Sequence, residues 1–499
     1  MEMMRASGII LHPTSLPSPS GIGNLGKEAY EFVDFLQRSG QKFWQILPLG
    51  PVGYAESPYQ PLSAFAGNTM LISPEKLKEN GLLKEGDLAS IPPFPVEKVQ
   101  FDLVKAWKED LLKKAFQNFC LLEKTSSYLS FLQKNRLWLE NYVLFIALKE
   151  YFGGLPWNQW EKKVAFREET ALQHYREILR EQIEYHNFVQ FIFFSQWQQL
   201  RNYANERGIK IIGDLPIFVS YDSSDAWANP QLFELDKEGN PTKVAGVPPD
   251  YFSETGQLWG NPHYKWEEME KDQYKWWRER FSNLLDLVDV IRVDHFRGFE
   301  SYWEIPGGEE TAINGQWIKA PGEQLFAMIK KYLGELPIIA EDLGIITPEV
   351  EELKNMFNFP GMKVLHFSLG SRWDRRNFLC NMTENTVVYT GTHDNDTSLG
   401  WYRQMQKEAP QIIKFLQKYL GLYPETSPQE IGWKLVEIVW QSRAKIAIVP
   451  LQDVLGLGTE ARMNLPGTTE GNWQWRFAPG SLTRELEERL AWLTKKHQR

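Results

Sequence analysis

The chain has 499 residues, 42% hydrophobic and 24% charged, enough for one large barrel with insertions or two or three ordinary domains, and too apolar for a disordered chain. Its 55 Lys and Arg against 64 Asp and Glu give a formal charge of −9, which argues against a nonspecific DNA-binding surface. Two cysteines, Cys120 and Cys380, make neither a disulfide framework nor a structural zinc site. No export signal and no continuous apolar run of membrane-spanning length stand out, so the expectation is a cytoplasmic protein that neither spans nor binds a membrane.

Eight short apolar runs mark the chain from end to end. In order they are GIILH (8–12), FWQILPLG (43–50), IKIIGDLPIFV (209–219), VDVIRVDHF (288–296), PIIAEDLG (337–344), MKVLHF (362–367), TVVYTGTHD (386–394) and AKIAIVPLQDVLG (444–456). Continuous Ile, Val and Leu fit parallel strands covered on both faces. Eight of them, many joined by segments of helical period, point to an α/β fold, a (β/α)8 TIM barrel. Spacing alone leaves a doubly wound open sheet as the alternative.

The gaps between runs are uneven. About 150 residues separate the second and third, and they carry helical patterns at 101–122, 137–154 and roughly 170–205. The expected organisation is a first part of the barrel over 1–55, a large, mostly helical insertion over 56–205, and a barrel strand at 206–220. An inserted active-site loop region then covers 221–285, and the rest of the barrel 286–499. The loop region contains GVPPDYFSETGQLWGNPHY (246–264), whose Gly, Pro and Asn read as a shaped loop rather than a regular element. Its Tyr251, Phe252 and Trp259 need something to contact. More broadly, the 20 Trp fill core in the main, yet several sit among Gly, Pro, Asn and Asp, where flat rings suit sugar faces.

In a closed barrel, the C-terminal ends of the strands converge on one mouth. The fourth run ends on Asp294, the fifth on Glu341 and the seventh on Asp394, which gathers three carboxylates from distant parts of the chain. Arg292, two residues before Asp294, shares its face of the strand and favours the ionised carboxylate. Glu341 follows the apolar PIIA, which favours its protonated form. One ionised and one protonated carboxyl are what retaining glycosyl transfer requires, as nucleophile and acid/base. Asp394 is expected to bind ring hydroxyls and stabilise protonated Glu341, with His295 and His393 as further hydrogen-bonding groups. Asp214, near the end of the third run, is expected to orient the rim or bind substrate. His12 and His366 hold similar strand-end positions with a structural role equally open.

The same acids could hold Mg²⁺ for proton abstraction, but well-placed lysines are few. No GxxxxGK[ST] or HExxH motif occurs, and GIGNLG (21–26) does not sit as a dinucleotide fingerprint. No metal and no cofactor are therefore expected.

Over nearly its full length the chain resembles the 4-alpha-glucanotransferases of the amylomaltase, or disproportionating-enzyme, family. The resemblance rests on HPTSLPSPSGIGNLG (12–26), WQILPLGP (44–51), SPYQPLSAFAGN (57–68), GDLPIFV (213–219), IRVDHFRGF (291–299), IIAEDLG (338–344), YTGTHDNDT (389–397) and NLPGTTEGNWQWR (464–476), with the 246–264 segment. It implies a barrel with inserted subdomains, and Asp294, Glu341 and Asp394 as nucleophile, acid/base and third carboxylate. It also implies sugar contacts from Arg292, His295, His393, Ser57, Tyr59, Asn68, Asp250, Tyr251, Phe252 and Trp259. The implied partners are α-1,4-glucans and maltooligosaccharides. The implied reaction moves a glucan segment to the 4-hydroxyl of glucose, maltose or a longer glucan, or to the donor's own end to give a cycloglucan. Neither nucleic acid nor an obligate protein partner is implied. An α-glucan hydrolase and a noncatalytic glycan-binding barrel remain the alternatives.

Overall fold

A computed structural model describes residues 5–249, 253–369, 382–423 and 425–499. Among them the strands, in chain order, are β1 (Ala6–Ile10), β2 (Phe43–Gln45), β3 (Lys210–Leu215), β4 (Lys243–Val247), β5 (Gln257–Pro262), β6 (Val290–Val293), β7 (Ser301–Pro306), β8 (Gln316–Lys319), β9 (Ile338–Ala340), β10 (Gly361–Val364), β11 (Thr386–Tyr389) and β12 (Ile446–Pro450). Eight of these, one from each apolar run, close a barrel in the order β1-β12-β11-β10-β9-β6-β3-β2. β1 pairs in parallel with both β12 and β2, which settles the choice between a barrel and an open sheet.

The continuous apolar runs have a simple cause. Alternate residues of each strand face opposite ways, and both faces are dry. Ile10, Phe43, Ile212, Val290, Ile339, Met362, Val387, Tyr389, Ile446 and Ile448 pack together as the barrel interior. Their neighbours Ile9, Trp44, Ile211, Ile291, Ile338, Val388 and Ala447 pack outward in the main core, with Phe32, Leu36, Leu325 and Leu435 of surrounding helices. The same parity aims functional groups. Two residues beyond Ile212, Val290 and Ile339 come Asp214, Arg292 and Glu341, so the inner face turns from apolar to charged as each strand reaches the mouth.

Long helices fill much of the segment between β2 and β3, at Phe101–Cys120, Ser126–Tyr151 and Arg180–Glu206. The last of them grips the loop that follows β2. The Gln190 amide bonds both main-chain groups of Gly67, at 2.8 and 2.9 Å, and Gln196 does the same for Ser73, at 2.7 and 3.2 Å. A buried amide paired on both sides makes a fixed joint, so the helices set the shape of a loop that reaches the mouth.

The segment read as a shaped loop holds regular structure. β4 and β5 pair antiparallel across an irregular register, and β7 and β8 complete a sheet ordered β5-β4-β7-β8. β5 carries Gly260, Asn261 and Pro262, so neither alternation nor β-branched residues announced it. Among the described residues no helix is long and apolar enough to cross a membrane.

Candidate active site

β3 and β6 lie side by side with Asp214 opposite Arg292. Nη1 of Arg292 stands 2.6 Å from Asp214 Oδ2 and 2.9 Å from Asp294 Oδ1, so one guanidinium holds two carboxylates. The Asp214 side chain is fully buried, whereas that of Asp294 is 28% exposed and faces the mouth. The arrangement separates a supporting acid from an accessible one. Tyr59 donates its hydroxyl to Asp214 Oδ2 at 2.6 Å, adding the loop after β2 to the cluster. Burial works against charge on Arg292, but Asp214 and Asp294 outweigh it and keep the guanidinium protonated.

Glu341 follows β9, whose Ala340 pairs with Val293 on β6. Its main-chain N–H donates to Val293 O at 3.0 Å, and its carbonyl accepts from Phe296 N at 3.0 Å. Its carboxyl oxygens accept main-chain N–H groups, Oε2 from His295 at 2.7 Å and Oε1 from Leu343 at 3.2 Å. His295 takes the left-handed conformation, φ 49° and ψ 51°, a sparsely populated state for a side chain of its size. Asp342 points away from the site. It accepts from Lys354 Nζ and Met362 N, both at 2.6 Å, and only a glycine at 361 leaves it room, since a Cβ there would lie 2.3 Å from its Oδ2.

Burial and then the charge of Asp294 raise Glu341 to about 8, against the pull of Arg292 and the His295 N–H. Burial raises Asp294 as well, to about 7, and the Arg292 guanidinium in direct contact with it is the strongest influence pulling it back down. Asp294 therefore ionises first, and Glu341 keeps its proton in neutral solution.

Asp394, 46% exposed, is held from the far end of the chain. Asn464 Nδ2 donates to its Oδ1 at 2.6 Å, Arg462 Nη2 donates to its carbonyl at 2.6 Å, and His393 Nε2 lies 3.4 Å from the same Oδ1. His393 stacks on Tyr59 at 5.0 Å, with Trp473 5.9 Å from both rings. Trp259 of β5 meets His295 edge to face at 5.0 Å. Burial lowers both histidines, His295 to about 4 with Arg297 contributing, and His393 despite Asp394. Both are neutral hydrogen-bonding groups near pH 7.

The remaining sequence candidates divide. Ser57 Oγ accepts the Tyr59 N–H at 3.2 Å and so shapes the turn that presents Tyr59. Asn68 is buried and caps the short helix Thr69–Leu71, its side-chain oxygen accepting from Met70 N. Asp250, Tyr251 and Phe252 lie outside the described residues. His12 and His366 are buried and driven down to about 3, His12 by burial and the nearby His393, and His366 by burial alone. His366 stacks on Trp401 and meets Ser398 Oγ at 3.0 Å. Asp394 was expected to act on Glu341. Its charge bears on Asp294, and Asp294 in turn raises Glu341.

Asn464, Arg462 and Trp473 were not singled out, because a lone Asn in an irregular segment carries no local signal of its partner 70 residues away. Among the described residues, no group of three or more His, Cys, Asp or Glu is placed to hold a metal ion. A separate surface groove of about 910 Å³, lined by Glu56, Val96, Lys98, Phe101 and Gln474 among others, includes none of the three carboxylates.

Residues 11–483 match the family model described as 4-alpha-glucanotransferase. A 4-alpha-glucanotransferase of Thermus thermophilus is 49% identical over 98% of both chains. The chloroplastic/amyloplastic 4-alpha-glucanotransferase of Solanum tuberosum is 42% identical over 95% of this chain and 82% of its own. Amylomaltase from Streptococcus agalactiae in complex with acarbose superposes with a TM-score of 0.95 at 41% identity, over 99% of both chains. Amylomaltase from Corynebacterium glutamicum, at 19% identity and a TM-score of 0.81, shares the fold over 98% of this chain and 75% of its own. With barrel, carboxylate cluster and full-length similarity in agreement, the chain belongs to the 4-alpha-glucanotransferase family.

Proposed function

We propose that the chain moves α-1,4-glucan segments between donor and acceptor by two displacements at one anomeric carbon, with Asp294 as nucleophile and Glu341 as acid/base. The observation that carries this reading is the pairing of Asp294 with Arg292 beside a Glu341 that resists ionisation. A nucleophile has to be anionic and a general acid has to hold its proton, and the two environments differ in that sense.

In the first displacement an Asp294 carboxylate oxygen bonds to C1 while the C1–O4 bond breaks. Glu341 gives its proton to the departing oxygen, and a glucan with a new 4-hydroxyl leaves. Glu341 is now anionic and Asp294 is neutral as its ester. In the second, an acceptor 4-hydroxyl passes its proton to Glu341 as its oxygen bonds to C1, and the Asp294 carboxylate is released. Two inversions give retention, and the separation suited to this work is about 5–5.5 Å. Asp394, braced by Asn464 and Arg462, is suited to hydroxyls of the sugar at the reacting centre. Neutral His295 and His393 supply further hydrogen bonds, and Tyr59, Trp259 and Trp473 supply apolar faces. Acarbose in the Streptococcus agalactiae amylomaltase supports a glucan-like ligand for this mouth.

The acceptors under this reading are glucose, maltose and longer glucans, with the donor's own end giving cycloglucans. Transfer outruns hydrolysis when an acceptor hydroxyl is positioned at the ester and water is not. Purified protein given maltotriose alone is expected to form glucose together with longer oligosaccharides. Reducing ends that rise without longer products would identify a hydrolase, and bound glucan without turnover would identify a binding protein.

A further inference from the structure

We propose that Arg297 is a positioning residue that straps the loop after β9 against the turn after β6, with the indole of Trp317 as the wall that holds its guanidinium in place. The inference rests on Glu341 being the acid/base, and it concerns what holds that half-buried carboxyl against its two main-chain donors.

Arg297 lies three residues after Asp294 and is 8% exposed. Its guanidinium carbon sits 3.8 Å from the centre of the Trp317 ring on β8, and its Nη1 donates to the main-chain oxygen of Ile345. Trp317 is itself braced by Trp303 of β7 at 5.3 Å. Ile345 is 67% exposed, so side-chain packing does little to hold the loop at that point. Two residues earlier Leu343 donates its N–H to Glu341 Oε1, and two residues before Arg297 His295 donates to Oε2. The Arg297–Ile345 bond therefore closes a ring of chain around the Glu341 carboxyl. Planar stacking with a directed donor is a task for which arginine is suited and lysine only partly so.

The charged groups around Glu341 are Asp294, Arg292 and Asp342, and the neutral titratable ones are His295 and Tyr389. Arg297 has Glu300 as its own charged neighbour, and Glu300 is already paired with Lys319. Arg297 thus acts on Glu341 through the chain it holds. Desolvation is the largest influence raising Glu341, and the strap, by holding the Leu343 and His295 segments in place around the carboxyl, limits how much water reaches it. Releasing it admits water and lets the carboxyl ionise at lower pH. The lost Leu343 N–H pulls the other way, but the shorter bond from His295 remains.

The test is maltotriose disproportionation by the full chain across pH 5–10, with melting curves, for R297M, R297K, W317A and E341Q. For R297M the basic limb of kcat/KM is expected to fall by about 0.5–1 pH unit and kcat at pH 7 by about tenfold, with KM within about twofold. R297K, which keeps a cationic donor, is expected to recover much of both. W317A is expected to move the limb in the same direction, and it carries the test if R297M does not fold. An unmoved or raised limb in the folded variants overturns the strap, even if their melting temperatures drop. Full turnover by E341Q would instead overturn the acid/base reading, so the two failures are told apart.

Discussion

The main-chain N–H of His295 donates to Oε2 of Glu341 across 2.7 Å, so the residue directly after the proposed nucleophile fixes the carboxyl of the proposed acid/base. The left-handed backbone of His295 turns that N–H toward Glu341. In E341Q a carboxamide oxygen can accept the same hydrogen bond, so the variant is expected to fold normally. Its kcat on maltotriose is expected to fall by about 10²- to 10⁴-fold, the usual worth of a general acid. An α-glucosyl fluoride donor, whose leaving group needs no proton, is expected to restore the first displacement. Natural-donor turnover close to wild type would remove Glu341 from its role.

Glu341 also predicts a pH dependence of stability. Its folded value, about 8, lies above its ordinary 4.5, so between those limits the native state binds more protons than the unfolded state. Its contribution is fully present below pH 4.5 and is lost as pH rises through 8. A glutamine has no such loss. The melting temperature of E341Q relative to the wild type is therefore expected to increase from pH 4.5 to pH 8.5. A difference that stays constant over that range would show that Glu341 ionises normally in the folded protein.

Much of the fold was legible because a parallel barrel strand is dry on both faces and so writes an uninterrupted apolar run, as Ile446, Ala447, Ile448 and Val449 do. The convergence of Asp294 and Glu341 followed from strand parity and from the rule that functional residues sit at strand ends. The small sheet was not legible. β5 is half-exposed, interrupted by Gly260 and paired across an irregular register, so periodicity had nothing to report. Asn68 shows a related ambiguity. The residue type fits a sugar contact and a helix cap equally, and what the structure adds is the cap through its side-chain oxygen.

Arg292 tests the electrostatic half of the site. It is 4% exposed and bonds to two acids, one of them fully buried. R292M keeps much of the volume but leaves Asp214 and Asp294 facing each other uncompensated. Removing one partner of such a buried pair costs about 3–5 kcal/mol. The acid limb of kcat/KM is expected to move to higher pH, because Asp294 loses the cation that favours its anion. Equilibrium denaturation and a pH–rate profile check the two parts separately. An unchanged acid limb in folded R292M would mean that Arg292 serves only the structure.

Asn464 offers the sharpest separation of geometry from charge at the third acid. Its Nδ2 is 2.6 Å from Asp394 Oδ1, and its own N–H bonds His393 O at 3.1 Å, so it fixes both the side chain and the adjoining turn. N464A removes the side-chain donor alone. N464D replaces it with an acceptor of nearly equal shape, placing two carboxylates in contact. Both variants retain the main-chain bond to His393, so melting temperatures are expected to change little. If Asp394 must be an oriented anion in the transition state, kcat is expected to drop by about tenfold in N464A and by more in N464D, where an acid replaces the donor that holds it. Equal kcat values for N464A, N464D and the wild type would show that the Asn464 contact does not orient Asp394 for the reaction.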